Sequence, residues 1–118
     1  MTDITITPIP VQVRDDEGQQ RITVHGRLDV RTIADARQGL HAAIDAGQGP
    51  LVVDMADAEI GDAPAVGLLL EASRRARRRG RAMSLVGVDE RGRRVLVRGR
   101  LDRVLGLARS TREAALIA

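Results

Sequence analysis

Residues 51–80 read LVVDMADAEIGDAPAVGLLLEASRRARRRG. Leu51-Val52-Val53 is a short, wholly apolar run, the pattern of a central strand covered on both faces. The period then changes. Val66, Leu69, Leu70, Ser73 and Ala76 recur at mostly three- and four-residue spacings, which predicts a helix from about Ala63 to Arg79 with these residues as its inner stripe. Asp62 precedes that helix, where a carboxylate can accept from the free N–H groups of the first turn. Pro64 fits the same turn, where a missing N–H costs little. Gly80 ends the helix.

The chain on either side extends this strand-then-helix unit. Upstream, Val11–Arg14 and Arg21–His25 alternate apolar and polar residues, as half-buried strands do, and Asp15-Asp16-Glu17-Gly18 reads as the hairpin turn between them. Pro8 and Pro10 confine the first strand to an edge or a late start. Ile33, Ala36, Leu40, Ala43 and Ile44 make one helical stripe, with Thr32 and Asp35 as a plausible N-cap pair and Gly47 where a left-handed C-terminal cap belongs. Downstream, Met83–Val88 reads as a buried strand, and Asp89 caps a third helix that carries Val95 and Leu96 and ends near Gly99. Val104–Leu107 reads as a short last strand. Ser110-Thr-Arg-Glu113 is a capping box that opens a final helix through Leu116. The order β-β-α-β-α-β-α-(β)-α implies an α/β fold. Its sheet is mixed but largely parallel, with an N-terminal edge hairpin and flanking helices. No repeat, linker or low-complexity segment interrupts the pattern, so residues 1–118 are expected to form one domain with a core of about 10–116.

Composition excludes several chemistries. The 118 residues contain no Cys, Phe, Tyr or Trp, so the core is aliphatic and no base or sugar stacks on an aromatic ring. All 19 basic residues are Arg, which excludes Schiff-base chemistry and phosphate-binding lysines. Two His without Cys argue against a conventional zinc site, so no metal and no cofactor are expected. Charge is polarised along the chain: residues 1–70 hold five Arg against eleven acids, and residues 71–118 hold fourteen Arg against five. No apolar run approaches the roughly 20 residues of a membrane span. MTDITITPIP lacks the basic and apolar regions of a secretory signal, so a cytoplasmic location without membrane insertion is expected. The skew toward Arg, Ala, Gly, Val and Asp suggests a GC-rich bacterial genome.

Some residues invite sharper readings. Asp54, read as closing its strand, together with Asp15-Asp16 could suggest a phospho-accepting receiver domain. That chemistry wants a lysine near the phosphoryl group, and the chain has none. Arg74–Arg81 could hold phosphates, but it sits at a helix end where cations complement the macrodipole. The small net charge of +3 and the lack of aromatics also argue against nucleic acid. His25 and His41 have no nucleophile or ligand partner at a recognisable spacing, and the glycine clusters form neither GxGxxG nor a P-loop.

His25-Gly-Arg-Leu-Asp29 before a Thr-capped helix resembles the G-E-L-D signature of STAS domains, the fold of bacterial anti-sigma factor antagonists. The resemblance continues through Leu51-Val-Val-Asp-Met55, and Ile60–Leu70 is similar to the family's D-S-S-G-L-G-x-L-L segment. Arg78-Arg-Gly80, Leu85–Val88, Arg93–Leu96 and Leu101–Leu105 match its later pattern. It covers about residues 10–116, and its order and spacing are more specific than any one motif. It implies a regulatory module for transcription, not an enzyme. In such proteins an anti-sigma factor of serine-kinase fold docks at the start of the helix and phosphorylates the second Ser of D-S-S-G. Aligned here, Asp62 takes the Asp position, Ala63 and Pro64 replace the two Ser, and Ala65 replaces the Gly, so no phospho-acceptor remains. Arg98-Gly-Arg100 also departs from the family's stretch before Leu101.

The resemblance implies partner binding through Asp62, Ala63, Pro64, Ala65 and Val66. Leu68 and Ala72, read as lying off the inner stripe, would extend that surface. The expected partner is an anti-sigma factor of serine-kinase fold. The alternatives are a STAS subunit of an ABC-transporter or sensory assembly, and a small-ligand or nucleotide sensor using Arg74–Arg81.

Overall fold

The computed structural model describes residues 11–16, 18–110 and 112–114. The readings of Pro8, Pro10, Glu17, Thr111 and Leu116 lie outside them. Two strands come first, β1 (Val11–Asp16) and β2 (Gln19–Leu28), antiparallel through a tight turn that pairs Asp16 with Gln19. Helix α1 (Ile33–Ala46) leads to β3 (Leu51–Ile60), and α2 (Ala63–Arg78) leads to β4 (Met83–Val86) and α3 (Glu90–Arg98). The sheet order is β1-β2-β3-β4, with β3 parallel to both neighbours. It is the mixed, largely parallel sheet with an edge hairpin that the element order implied.

Alternation decides which side chains enter the core. Ile22, Val24, Leu51, Val53 and Met55 join the main cluster with Ala36, Leu40 and Ile44 of α1. Val52 and Val86, of opposite phase, form a second small cluster with Ala108 and Ala114. Asp54 shares that second face. It does not end the strand, because β3 runs on to Ile60. The β2–β3 register slips between Thr23 and His25, so β3 carries one extra residue there. Asp54 Oδ1 accepts the Ala56 N–H at 2.9 Å beside the slip, and its other oxygen accepts from Arg21 at 2.5 Å.

Several local expectations change. Thr32 stands at the start of α1 but makes no side-chain cap, because its hydroxyl donates to the Arg27 carbonyl at 2.7 Å and accepts the Asp29 N–H at 3.1 Å. Gly47 is extended rather than left-handed, and the Gln20 amide lies where its Cβ would be. Val104–Leu107 is not a strand. A turn over 102–106 leaves a single parallel bridge between Leu107 and Leu85. At residues 112–114 a helical turn does begin, with the Ser110 hydroxyl accepting the Glu113 N–H at 3.2 Å.

The largest correction concerns α2. Its buried residues are Ala65, Leu68, Leu69, Ala72, Ser73 and Ala76, while Val66 and Leu70 are half-buried. Leu68 and Ala72 are fully buried, so they belong to the core and not to an outer surface. The helix is turned by about one residue from the expected stripe. Close packing of α2 against α1 selects small residues at the seam, and the alanines supply them. Arg37 with Glu71, and Arg75 and Arg79 with Asp45, tie the two helices together along the outside of that seam.

The end of α2 is closed firmly. Gly80 adopts φ +69°, which only glycine takes at little cost. This lets the Gly80 N–H reach the Arg77 carbonyl and the Arg81 N–H reach the Ala76 carbonyl, each at 2.9 Å. Arg81 then turns inward and is 5% exposed. Its guanidinium donates to the carbonyls of Ile44 and Gly49 and to Gln20 Oε1, each at 2.7 Å, drawing three separate segments together.

Candidate functional site

The start of α2 is built around Asp62. Its backbone is extended, and Oδ1 accepts the Ala65 N–H at 3.1 Å, as expected of an N-cap. Oδ2 does something the sequence did not suggest. It accepts the N–H of Val30 at 2.9 Å, so one carboxylate fixes the β3–α2 junction to the β2–α1 loop.

That loop is itself rigid. Asp29 is buried and accepts the Arg31 N–H at 2.9 Å, and this bond, with Arg31 and Arg27 nearby, holds its carboxyl below the usual carboxylate range against the opposing effect of burial. Arg27 bridges to Glu59 at 3.3 Å and to the Gly61 carbonyl at 3.2 Å. The Gly61 N–H donates to the Leu28 carbonyl at 2.8 Å. A Cβ on Gly61 would stand 2.7 Å from that same carbonyl, so the close approach requires glycine.

On this frame Ala63 and Pro64 are exposed. Ala65 is fully buried and serves the core. Val66 is half-buried at the wall of a groove of about 570 Å³ between the first half of α2 and α3. Ile60 and Leu70 continue the apolar lining from one side, and Val95 and Leu101 from the other. Val95 is 48% exposed, and Val30, whose N–H is held by Asp62, is 69% exposed. Asp89 positions α3 by accepting the Gly92 N–H at 2.7 Å. The structure thus brings Asp62, Ala63, Pro64 and Val66 together and removes Ala65, Leu68 and Ala72 from the surface. Leu70, Val95 and Leu101 are groove residues that sequence reasoning did not assign. Leu70 carried a signal, since it lies one turn beyond Val66 on the same face.

The arrangement offers apolar contact and a fixed helix start. Pro64 and Ala63 have no hydroxyl, and Ser73 is buried with its hydroxyl donating to the Val104 carbonyl at 2.9 Å. His25 and His41 each leave Nε2 without a hydrogen-bond partner, and burial with nearby Arg75 pushes the His41 pKa down. Among the described residues no group of His, Cys, Asp or Glu is placed to hold a metal ion, and no helix is long and apolar enough to cross a membrane.

The sequence matches the family described as STAS domain over residues 11–114. No curated protein sequence matches it. The fold is similar to an anti-sigma factor antagonist from Mycobacterium paratuberculosis, with a TM-score of 0.79 at 19% identity over 91% of each chain. The anti-sigma factor antagonist SpoIIAA of Bacillus, in its unphosphorylated form, gives 0.70 at 20% identity over 90% of this chain and 92% of that one. The murine anion transporter Solute Carrier 26 family member A9 gives 0.72 at 18% identity, over 88% of this chain and only 18% of the transporter.

Proposed function

This chain belongs to the STAS domain family, and we propose that it works as a non-catalytic docking module, an anti-sigma factor antagonist acting in the cytoplasm of a bacterium. Its partner in this reading is an anti-sigma factor of serine-kinase fold, and the whole chain acts as a single domain. The observation that carries the reading is the exposed Ala63-Pro64 step at the lip of an apolar groove, held by Asp62. The partner would seat on that step and place apolar side chains against Val66, Leu70 and Val95. With Ala63 and Pro64 at the aligned serine positions, docking goes unanswered by phosphorylation, so the complex persists in the presence of ATP. The transporter likeness supports a second reading, a STAS module within a larger assembly, but it rests on 18% of that chain.

A single charge tests the site. Pro64→Asp places a carboxylate where the family carries a phosphate, and a helix N-terminus favours an acidic side chain, so the fold should be unharmed. Calorimetric titration with the cognate anti-sigma factor should show affinity falling by about tenfold or more, as for burying an unpaired charge at an interface. Val95→Asp on the opposite wall should do the same. Unchanged affinity in both variants would end this reading. A mass gain of one phosphate that dissolves the wild-type complex would end the claim of persistence.

A further inference from the structure

The groove between α2 and α3 restricts the kind of element that can fill it. Its walls are helices, whose backbone groups are bonded within each helix, so they offer little to the amides of an extended peptide. An occupant has to satisfy its own backbone, as a helix does. The lining it would meet is aliphatic, with Val66 and Leu70 on one side and Val95 and Leu101 on the other.

Gly67 lies inside α2, exposed on the groove wall between Val66 and Leu70. Glycine is a poor helix former beside alanine. Nothing in its own chain requires it: its φ is not left-handed, and a Cβ there would meet no atom within 4 Å. A bare wall at this point admits the backbone of an occupant.

The rim on the α3 side is basic. Arg91 lines the groove, and Arg98 follows seven residues later, two turns or about 10 Å along the same face. Both are exposed, and neither makes an ion pair or hydrogen bond among the described residues. Arg94, by contrast, has Glu90 at 3.9 Å. Arg91 also stands in the first turn of α3, where the macrodipole disfavours a cation, so its own helix does not account for it. Asp62 is the only carboxylate lining the groove, and its two oxygens already accept from the N–H groups of Ala65 and Val30. The positive charge of this rim is left for something outside the chain.

Resting on the docking reading above, we infer that the partner element seated in this groove is an acidic amphipathic helix. Its apolar stripe packs on Val66, Leu70 and Val95, its backbone crosses closest at Gly67, and carboxylates two turns apart on its flank meet Arg91 and Arg98.

Calorimetric titration of single variants with the cognate anti-sigma factor tests the charge. Arg91→Glu and Arg98→Glu each weaken binding by about fivefold, since a rim attraction becomes a repulsion. Arg93→Glu, on the other flank of α3, leaves it unchanged. Raising salt from about 0.05 to 0.5 M weakens the wild-type complex and narrows the gap to both rim variants. Gly67→Leu fills the crossing point and weakens binding by about tenfold or more, while its unfolding midpoint is no lower than that of the wild type, because leucine is the better helix former. If that midpoint falls, the arginine variants decide the matter. Hydrogen exchange on the anti-sigma factor then locates the element: docking protects a helical segment with acidic residues two turns apart. Equal losses in Arg93→Glu and Arg91→Glu, or protection of a basic or non-helical segment, would overturn the inference. So would unchanged affinity in both rim variants while Pro64→Asp and Val95→Asp still weaken binding, and in that case the docking reading stands without it. Unchanged affinity in all of these variants ends both.

Discussion

Helix α2 has two flanks, and they are finished differently. It buries Ala65, Leu68, Leu69 and Ala72, and on the α1 side it is closed by Arg37–Glu71, Arg75–Asp45 and Arg79–Asp45. Against α3 it places Val66 and Leu70 along an open groove whose far wall is Val95 and Leu101. A flank built only for stability would use the larger residues inside. Here Val66 and Leu70 stand half in water, although Leu68 and Leu69 of the same helix are fully buried. Apolar side chains held half-exposed on a rigid frame are what a docking surface requires.

The sharpest way to break this contrast is to truncate one residue from each side. Leu68→Ala should cost about 2–5 kcal/mol, because a fully buried leucine leaves a cavity the packed seam does not collapse into. Val66→Ala, on the groove wall, should cost about 1 kcal/mol or less. Urea denaturation of the two variants measures both. If Val66→Ala costs as much as Leu68→Ala, the groove is part of the core and the distinction between flanks fails.

The join between the two flanks sits at Asp62. Asp62→Ala removes an N-cap and should cost about 0.5–2 kcal/mol. Because the carboxylate also accepts from Val30, the cap alone does not set the cost. Asn keeps one accepting oxygen and loses the other, so Asp62→Asn should fall between wild type and Ala. Its residual loss should appear as faster amide exchange at Val30. Asn behaving as well as Asp, with Val30 unchanged, would show that the cross-loop bond contributes nothing.

Much of this frame was legible in the sequence. The hairpin, both long helices to within a residue or two and the capping by Asp62 and Asp89 follow from local patterns, because local hydrogen bonding decides them. What escaped was set by distant segments. The face of α2 depends on how near α1 comes, and a hydrophobic period counts Val66 and Leu70 as inward whichever face the seam selects. Arg81 looked like one more cation in Arg74–Arg81, because the carbonyls of Ile44 and Gly49 that hold it come from another part of the chain. Thr32 had the right residue type for a cap, but the Arg27 carbonyl captured its hydroxyl first. At the candidate site, Ala63 and Pro64 were readable from alignment to a motif. Val95 and Leu101 were not, since only the third dimension places them opposite Val66.

The smallest effect is electrostatic and concerns the closed flank alone. Arg75 donates twice to Asp45, and with Arg79 beside it the Asp45 carboxyl is held down to about 2 from the ordinary 3.8. A carboxyl with a lowered folded pKa stabilises the fold fully above its unfolded value and loses that contribution as pH falls through the folded one. The gap in unfolding midpoint between wild type and Asp45→Asn should therefore be constant above the histidine range and close between about pH 4 and 2. Glu71, lowered by its hydrogen bond from Arg37, and Asp29 titrate in the same direction, so the acid slope of the wild type is shared, and the comparison with Asn isolates Asp45. His41 acts in a separate window. Its pKa is lowered from 6.5 mainly by burial, so the neutral ring's contribution begins to fade as pH falls through the ordinary histidine range; Asp45 is the smallest of the charges acting on it and opposes that lowering, so the two proteins differ slightly in this window. Asp45 is partly exposed, so half-molar salt should shrink the gap at neutral pH. A gap that survives undiminished at pH 2 would mean that Asp45 acts through packing and not through charge, and the ionic closure of the α1 flank would have to be given up.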